Sequence, residues 1–372
     1  MAPLTLGALP VVGVLLIFVM SVGINEVKGA EDLTYESNQF SFDLYQALKE
    51  PFENLIVSPI SADIVIALAY IGAGGNTQTE IAKALHLPDD LEYVRKEYKA
   101  LLDYLRGPGL YLVTKMFIEQ TLFVNPEFQK NVSIYFLSEA GPVSFVAHPE
   151  RATQEINQWV EQQTVNKIKD LLAKDVRVDS STRMMLTNAG YFNAKWSSPF
   201  DHSRTKDDDF YFDPNHTVTV KMMFQNNRFQ FKYDPDLKAK ILALPFENKV
   251  FNMIVFLPDN ITELPGLESR LSRSNFPGIL QSLIYTDLIV GLPKFTMNKT
   301  TMKLTETLKQ LGIKDLFNQT AANLTGIAEN LYATAVCQKA FIEVSEEGTV
   351  VPFGVAEEVF SKFANSEFTL LY

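Results

Sequence analysis

Two hydrophobic periods divide this chain. Up to about residue 166 the apolar positions recur at intervals of three and four, as on one face of a helix. Ser37 is placed to cap a helix that carries Phe40, Leu44, Tyr45 and Leu48 on one side. Ser58-Pro59 opens a second, strongly apolar helix with proline in its first turn. Gly72-Ala-Gly-Gly-Asn76 stops it, and Thr77 caps the next helix, 78–86. Helical patterns also cover 91–106 and 152–166. From Met184 the period shortens, and 184–191, 217–223, 228–233, 240–244, 250–257 and 286–292 read as strands. Arg228-Phe-Gln-Phe-Lys-Tyr233 alternates, so one of its faces is wet. Phe251-Asn-Met-Ile-Val-Phe-Leu257 is almost continuously apolar and reads as a buried strand. A helix is predicted over 301–311. The run Phe341-Ile-Glu-Val-Ser345 reads as a strand that opens into a loop at Gly348. No repeat, low-complexity tract or Pro/Gly-rich linker interrupts the pattern. Helices first and sheets afterwards predict one α+β domain over 30–372.

Composition changes this picture little. The chain has 372 residues, 47% hydrophobic and 21% charged, with ample material for a core. Its net charge of −11 argues against a sequence-independent grip on nucleic acid, which needs clustered Lys and Arg. The one cysteine, Cys337, excludes an internal disulfide and a cysteine-built metal site. His86, His148, His202 and His216 are scattered without metal-ligand spacing. No metal or cofactor is expected.

The N-terminus does change the picture. No charge precedes Glu26, and Val11-Val-Gly-Val-Leu-Leu-Ile-Phe-Val-Met20 is a compact apolar stretch followed by small residues. This layout predicts a secretory leader within 1–29, removed near position 23 or 29, although its start lacks Lys and Arg. An uncleaved anchor is the alternative, since the uncharged stretch could span a bilayer. Six glycosylation sequons, at Asn131, Asn215, Asn260, Asn298, Asn318 and Asn323, also favour export. A secreted, extracellular glycoprotein is expected, without membrane attachment once the leader is gone.

Candidate catalytic chemistry is sparse. Gly72-Ala-Gly-Gly-Asn-Thr77 follows a helix and has no lysine, so it reads as a helix stop and not a phosphate cradle. Asp201-His-Ser203 holds the residue types of a hydrolase triad, but adjacent residues cannot build its geometry. Asp207-Asp-Asp209 reads as a solvated acidic run. No catalytic centre emerges, and an enzyme is not expected.

An ordered series of short motifs carries a family likeness. Asn54-Leu-Ile-Val-Ser-Pro-Ile-Ser61 continues through Ala67-Leu-Ala to Gly72-Ala-Gly-Gly-Asn-Thr77. Thr187-Asn-Ala-Gly-Tyr-Phe-Asn-Ala-Lys-Trp196 and Pro199-Phe200 follow. Val220-Lys-Met-Met223, Leu244-Pro-Phe246, Ile254-Val-Phe-Leu-Pro258 and Leu292-Pro-Lys-Phe295 come next in order. Leu308-Lys-Gln-Leu-Gly312, Leu316-Phe317, Asn323-Leu-Thr-Gly-Ile327 and Glu343-Val-Ser-Glu-Glu-Gly-Thr349 complete the set. From about Ser37 to Thr349 the chain resembles the serpins.

The resemblance implies N-terminal helices packed on mixed and antiparallel sheets, with a reactive-centre loop near the C-terminus. It implies a monomeric inhibitor of serine proteases that acts as a suicide substrate. A protease cleaves the loop and is held as an acyl-enzyme, and the freed loop inserts as a central strand of the main sheet. Ser58, Ser61, Asn188 and Gln338 match the shutter beneath that sheet, where the family often has His in place of Gln338. Trp196 matches the aromatic residue near the top of the gap. The hinge is Glu346, Glu347, Gly348, Thr349, Val350, Val351, Pro352 and Phe353. Inhibitory serpins have small residues after the Gly-Thr pair. Here Phe353 would face the interior and Pro352 would remove a ladder donor, both of which oppose insertion. A non-inhibitory or substrate-like serpin with a binding, carrier or storage role is therefore the competing expectation. Counting from Glu346 places the bait bond at Lys362–Phe363, suited to a trypsin-like extracellular protease. Counting back from Phe368 lands near Ala356 instead. The loop is then short and the second sheet lacks its final strands, as in a truncated or alternatively spliced product. Some serpins bind sulfated glycans through a helix near 91–106. Here acidic residues interrupt Arg95, Lys96, Lys99 and Arg106, so glycosaminoglycan binding is not expected.

Overall fold

A computed structural model describes residues 4–5, 11–12, 14–20, 31–50, 54–105, 110–164, 166, 169–172, 178–213, 216–249, 251–260, 262–271, 274–333, 335–349 and 368–371. Three strands open the chain: β1 (Leu4–Thr5), β2 (Val11–Val12) and β3 (Val14–Met20). Then come helix α1 (Glu31–Leu48), strand β4 (Leu55–Val57) and helices α2 (Pro59–Tyr70), α3 (Gly75–Ala84) and α4 (Leu91–Leu105). Strands β5 (Leu110–Glu119) and β6 (Glu139–Val143) alternate with helices α5 (Pro126–Tyr135) and α6 (Pro149–Gln163). The β-rich part holds β7 (Met184–Phe192), β8 (Ala194–Lys195), β9 (Lys206–Asp213), β10 (His216–Asp234), β11 (Ala239–Pro245) and β12 (Phe251–Pro258). Helices α7 (Leu264–Leu271) and α8 (Phe276–Gln281) precede β13 (Ile284–Pro293) and β14 (Phe295–Lys303). Helix α9 (Thr305–Gln310) and strands β15 (Ala335–Val344), β16 (Gly348–Thr349) and β17 (Phe368–Leu371) follow.

Helix α2 is apolar on every side because it is buried on every side; Ala62 and Ile64 through Tyr70 are all core residues. It packs on α1, β5 and β7. A five-stranded sheet, in the order β14-β15-β7-β5-β6, lies over it. Alternation along the strands splits their side chains between two cores. Met116, Ile118 and Met184 join the main core, whereas Phe117 and Met185 pack with Ala152 and Ile156 of α6. The second sheet has ten strands along the path β1-β13-β10-β11-β12-β3-β17-β4, with β9 beside β10 and β2 beside β9. Strand β12 is buried at Phe251, Met253, Ile254, Val255 and Phe256, as its apolar run predicts. No helix among the described residues is long and apolar enough to cross a membrane.

Several elements depart from the sequence pattern. Ser37 lies inside α1, which begins at Glu31-Asp32; acidic residues suit the positive end of a helix dipole. Thr77 does not cap α3, whose cap position is Gly74. Its buried hydroxyl instead accepts from the Asn323 amide at 2.9 Å, a tertiary contact that no local pattern encodes. The strands predicted at 217–223 and 228–233 are one strand, β10. Its ladder with β13 runs unbroken from Met222 to Phe231 across the polar Gln225-Asn-Asn227. The helix predicted from 301 starts at Thr305, because Thr300 to Lys303 pair with β15. The long strand β5 was not predicted. The apolar N-terminal run forms β2 and β3, while both expected cleavage positions lie outside the described residues.

Candidate functional site

The site is a seam in the five-stranded sheet. Strands β15 and β7 run parallel and pair directly at Ala335↔Met185, Val336↔Leu186, Cys337↔Thr187, Gln338↔Asn188 and Lys339↔Ala189. Their recorded pairing ends there, although β15 stays paired with β14 to Val344 and β7 with β5 to Phe192. Among the described residues, then, the two strands are joined in their lower half and separate above it.

Beneath the joined half lies a polar latch in apolar surroundings. Gln338 is fully buried. Its Oε1 accepts from the Ser58 amide at 3.0 Å, and its Nε2 donates to the Ser58 carbonyl at 2.7 Å. The Ser58 hydroxyl donates to Ser61 Oγ at 2.6 Å. One amide side chain thus satisfies both backbone groups at the start of α2, where the Ser58 side chain makes no cap hydrogen bond. Asn188 stands opposite Gln338 in the ladder. Its neighbour Thr187 is buried with Oγ1 lacking a hydrogen-bond partner among the described residues.

Above the joined half a tight turn closes the opening. The Ser345 amide donates to the Gly348 carbonyl at 2.8 Å, and the Gly348 amide donates back at 3.2 Å. Gly348 has φ +140° and pairs with Lys195, and Thr349 pairs with Ala194. Trp196 is stacked on Phe246 with centroids 4.6 Å apart. Its ring N–H donates to the Ser345 carbonyl at 2.9 Å, and its backbone N–H to Glu347 at 3.0 Å. Glu346 is buried, held by Lys294 Nζ and Thr205 Oγ1, each at 2.9 Å. His202 Nδ1 lies 3.6 Å from the same carboxylate. Burial pushes the Glu346 carboxyl up. Hydrogen bonds from Lys294, the backbone and Thr205, together with the Lys294 charge, outweigh it and hold the group below the ordinary glutamate value.

The remaining candidate residues are scattered. Asn131 is half-buried on α5, Asn260 and Asn318 are exposed, and Asn323 is half-buried beside Gly74. Asn298 lies within β14. Asn215, Val350, Val351, Pro352, Phe353, Lys362 and Phe363 lie outside the described residues. Asp201 accepts from the Ser203 amide at 2.9 Å and hydroxyl at 2.7 Å, so this trio caps a short turn. On α4, Arg95 and Lys96 pair with Glu92, and Lys99 with Asp103. No group of three or more potential metal ligands occurs among the described residues. Sequence reasoning missed Thr205, Lys294 and Phe246 as parts of the site. Lys294 and Phe246 sit inside family-like motifs, while Thr205 carries no local signal.

Comparison with known proteins gives the family. The family model described as "Serpin (serine protease inhibitor)" matches residues 35–369. The leukocyte elastase inhibitor of Equus caballus is 34% identical over 333 residues, covering 86% of this chain and 87% of that protein. Serpin48 of the insect Tenebrio molitor superposes with a TM-score of 0.79 at 30% identity, covering 94% of this chain and 93% of that one. Thyroxine-binding globulin in complex with thyroxine superposes with a TM-score of 0.79 at 26% identity, over 91% and 92% of the two chains. This chain belongs to the serpin family, a family of protease inhibitors. The α+β fold, with helices on mixed and antiparallel sheets, is the serpin fold.

Proposed function

We propose that this serpin is a secreted, monomeric suicide-substrate inhibitor of an extracellular trypsin-like serine protease, with Lys362–Phe363 as the bait bond. The observation that carries the reading is the half-joined seam. Strands β15 and β7 separate where the Ser345–Gly348 turn is docked. A chain continuing from Thr349 therefore starts at the mouth of the opening it would enter. No residue of the inhibitor needs to be catalytic, since the protease supplies the chemistry up to the acyl-enzyme. Insertion would give two strand ladders where one now exists. Export is supported by the sequons, with Asn260 and Asn318 on exposed turns. The internal pairing of the basic residues on α4 supports the absence of glycosaminoglycan binding.

The test is incubation with trypsin and with elastase, followed by denaturing electrophoresis and mass mapping of the cut bond. The expected result is an SDS-stable complex with trypsin and cleavage after Lys362. No stable complex at any ratio sinks the inhibitor reading. A complex formed only with elastase and cut near Ala356 replaces the trypsin-like assignment. A relative named leukocyte elastase inhibitor makes that arm worth running. The second reading, a non-inhibitory binding or carrier serpin, is favoured by Val350-Val-Pro-Phe353 and by the likeness to a thyroxine-binding globulin. It predicts cleavage without any trapped complex.

A further inference from the structure

We propose that a glycan on Asn260 folds back over an exposed apolar face of the second sheet, with its first sugar packed on the Tyr233 ring. The inference rests on the reading of the chain as exported, since an N-linked glycan is added on the export route. The face is assembled by strand pairing. Tyr233 of β10 stands opposite Lys240 of β11, and Lys240 opposite Leu257 of β12. In the next row Ile284 of β13, Phe231, Leu242 and Val255 stand side by side. Residues two apart on a strand share a face, so Tyr233 and Phe231 lie on one side of the sheet with Ile284 beside them. Leu242 and Val255 are buried, which closes the inner part of this face. The outer part is open: Tyr233 is 47% and Ile284 67% exposed, and Phe231 and Leu257 are half-buried.

A single apolar side chain at a surface needs no explanation, but a cluster continuous with the core marks a surface that something covers. The sheet itself points to the cover. The Tyr233 hydroxyl donates to Asp259 Oδ2 at 2.6 Å, so the ring is tethered to the end of β12. That bond first, then partial burial and the charges of Asp259 and Asp234, raise the Tyr233 hydroxyl above the ordinary tyrosine value, and it stays a donor. The next residue is the acceptor Asn260, which is exposed. Consecutive Cα atoms are about 3.8 Å apart, so a sugar linked to Asn260 begins beside this tether. The acceptor's backbone is held on both sides. The Asp259 amide donates to the Lys238 carbonyl, and the Glu263 amide to the Asn260 carbonyl, each at 3.0 Å. The chemistry of a sugar suits the face. A pyranose ring has a flat side of C–H groups, which the negative face of an aromatic ring attracts, and a rim of hydroxyls that stays in water. Asn318 provides the contrast. It is exposed too, but its Oδ1 accepts from the Thr320 amide at 3.0 Å and hydroxyl at 2.9 Å. None of the exposed large apolar side chains among the described residues lies on that turn.

The experiment expresses the full chain in secreting animal cells and maps each sequon by mass spectrometry. Peptide-N-glycosidase then releases the glycans from the native protein. Release at Asn260 and at Asn318 is timed separately, and each rate is divided by its rate after denaturation. Packing on one aromatic ring should slow native release at Asn260, relative to Asn318, by about two- to tenfold. Tyr233→Ser should abolish that difference. Tyr233→Phe keeps the ring without its bond to Asp259 and should preserve most of it. An occupied Asn260 released as fast as Asn318, with no response to Tyr233→Ser, overturns the proposal. A bare Asn260 beside an occupied Asn318 overturns it and leaves the export reading standing. A chain without glycan at any sequon overturns both. A dimer of the glycosylated chain that Ile284→Ser dissolves gives the face to a second copy and overturns the proposal as well.

Discussion

Gln338 is the residue on which the lower seam depends. It satisfies a donor and an acceptor that are both buried and both from Ser58. Gln338→Leu leaves the Ser58 amide without its partner and the Ser58 carbonyl with only the Ala62 amide at 3.2 Å, and should lower unfolding stability by about 1–3 kcal/mol. Urea unfolding at pH 7 checks this. Gln338→His should fall between the two, since the donor and acceptor nitrogens of a neutral imidazole point in diverging directions and cannot both reach Ser58. Glu346 carries the upper seam, and its carboxyl is held below the ordinary value. Its contribution is therefore complete above the ordinary glutamate pKa and is lost as pH falls through the lower, folded value. In Lys294→Met, burial is no longer offset by the ammonium group. Stability at pH 7 should drop by about 1–3 kcal/mol. The loss of stability between neutral and acid pH should shrink in the variant. Urea midpoints at pH 7 and pH 4 for both proteins test the sign.

At the scale of elements, the two-residue pairing of β16 with β8 would set how the proposed hinge is parked. A Cβ at Gly348 would stand 2.3 Å from the Ala194 carbonyl oxygen, and φ +140° is strained for any L side chain. Gly348→Ala should lift β16 from β8, cost about 1–3 kcal/mol and speed proteolysis of the Ser345–Gly348 turn. Limited proteolysis followed over time reads this out. The elements also show what a sequence can and cannot say. The apolar helix α2 and the continuous strand β12 were legible, because burial on all sides writes an unbroken apolar run. The 19-residue strand β10 was not read as one element, because Gln225-Asn-Asn227 looks like a loop and only the ladder with β13 keeps it extended. Ser58, Gln338 and Trp196 were legible through motif likeness. Thr205 was not, because its partner Glu346 lies 141 positions away and nothing local marks the contact.

Over the whole molecule, the proposed inhibitory reaction is a change of sheet order from β15-β7 to β15-loop-β7. Cleavage between residues 350 and 367 should therefore raise the melting temperature if the loop enters, and leave it unchanged if it does not. Pro352→Ala with Phe353→Ala restores a backbone donor and removes excess volume, so this variant should trap a larger share of trypsin than the parent at equal cleavage rates. Equal cleavage with no gain in trapping would shift the blame to the length of the loop. The seam also sets a sequence of events in time. Because β15 and β7 are joined from Ala335 to Lys339 and apart above, an entering chain meets no ladder at first and must then unzip one pair after another. In the proposed reaction, traffic through the sheet would run in one direction, from the Trp196 end downward. Protons on the backbone amides around Lys339 should then exchange with solvent before those around Ala335, and a loop halted partway would leave that boundary frozen where it stopped.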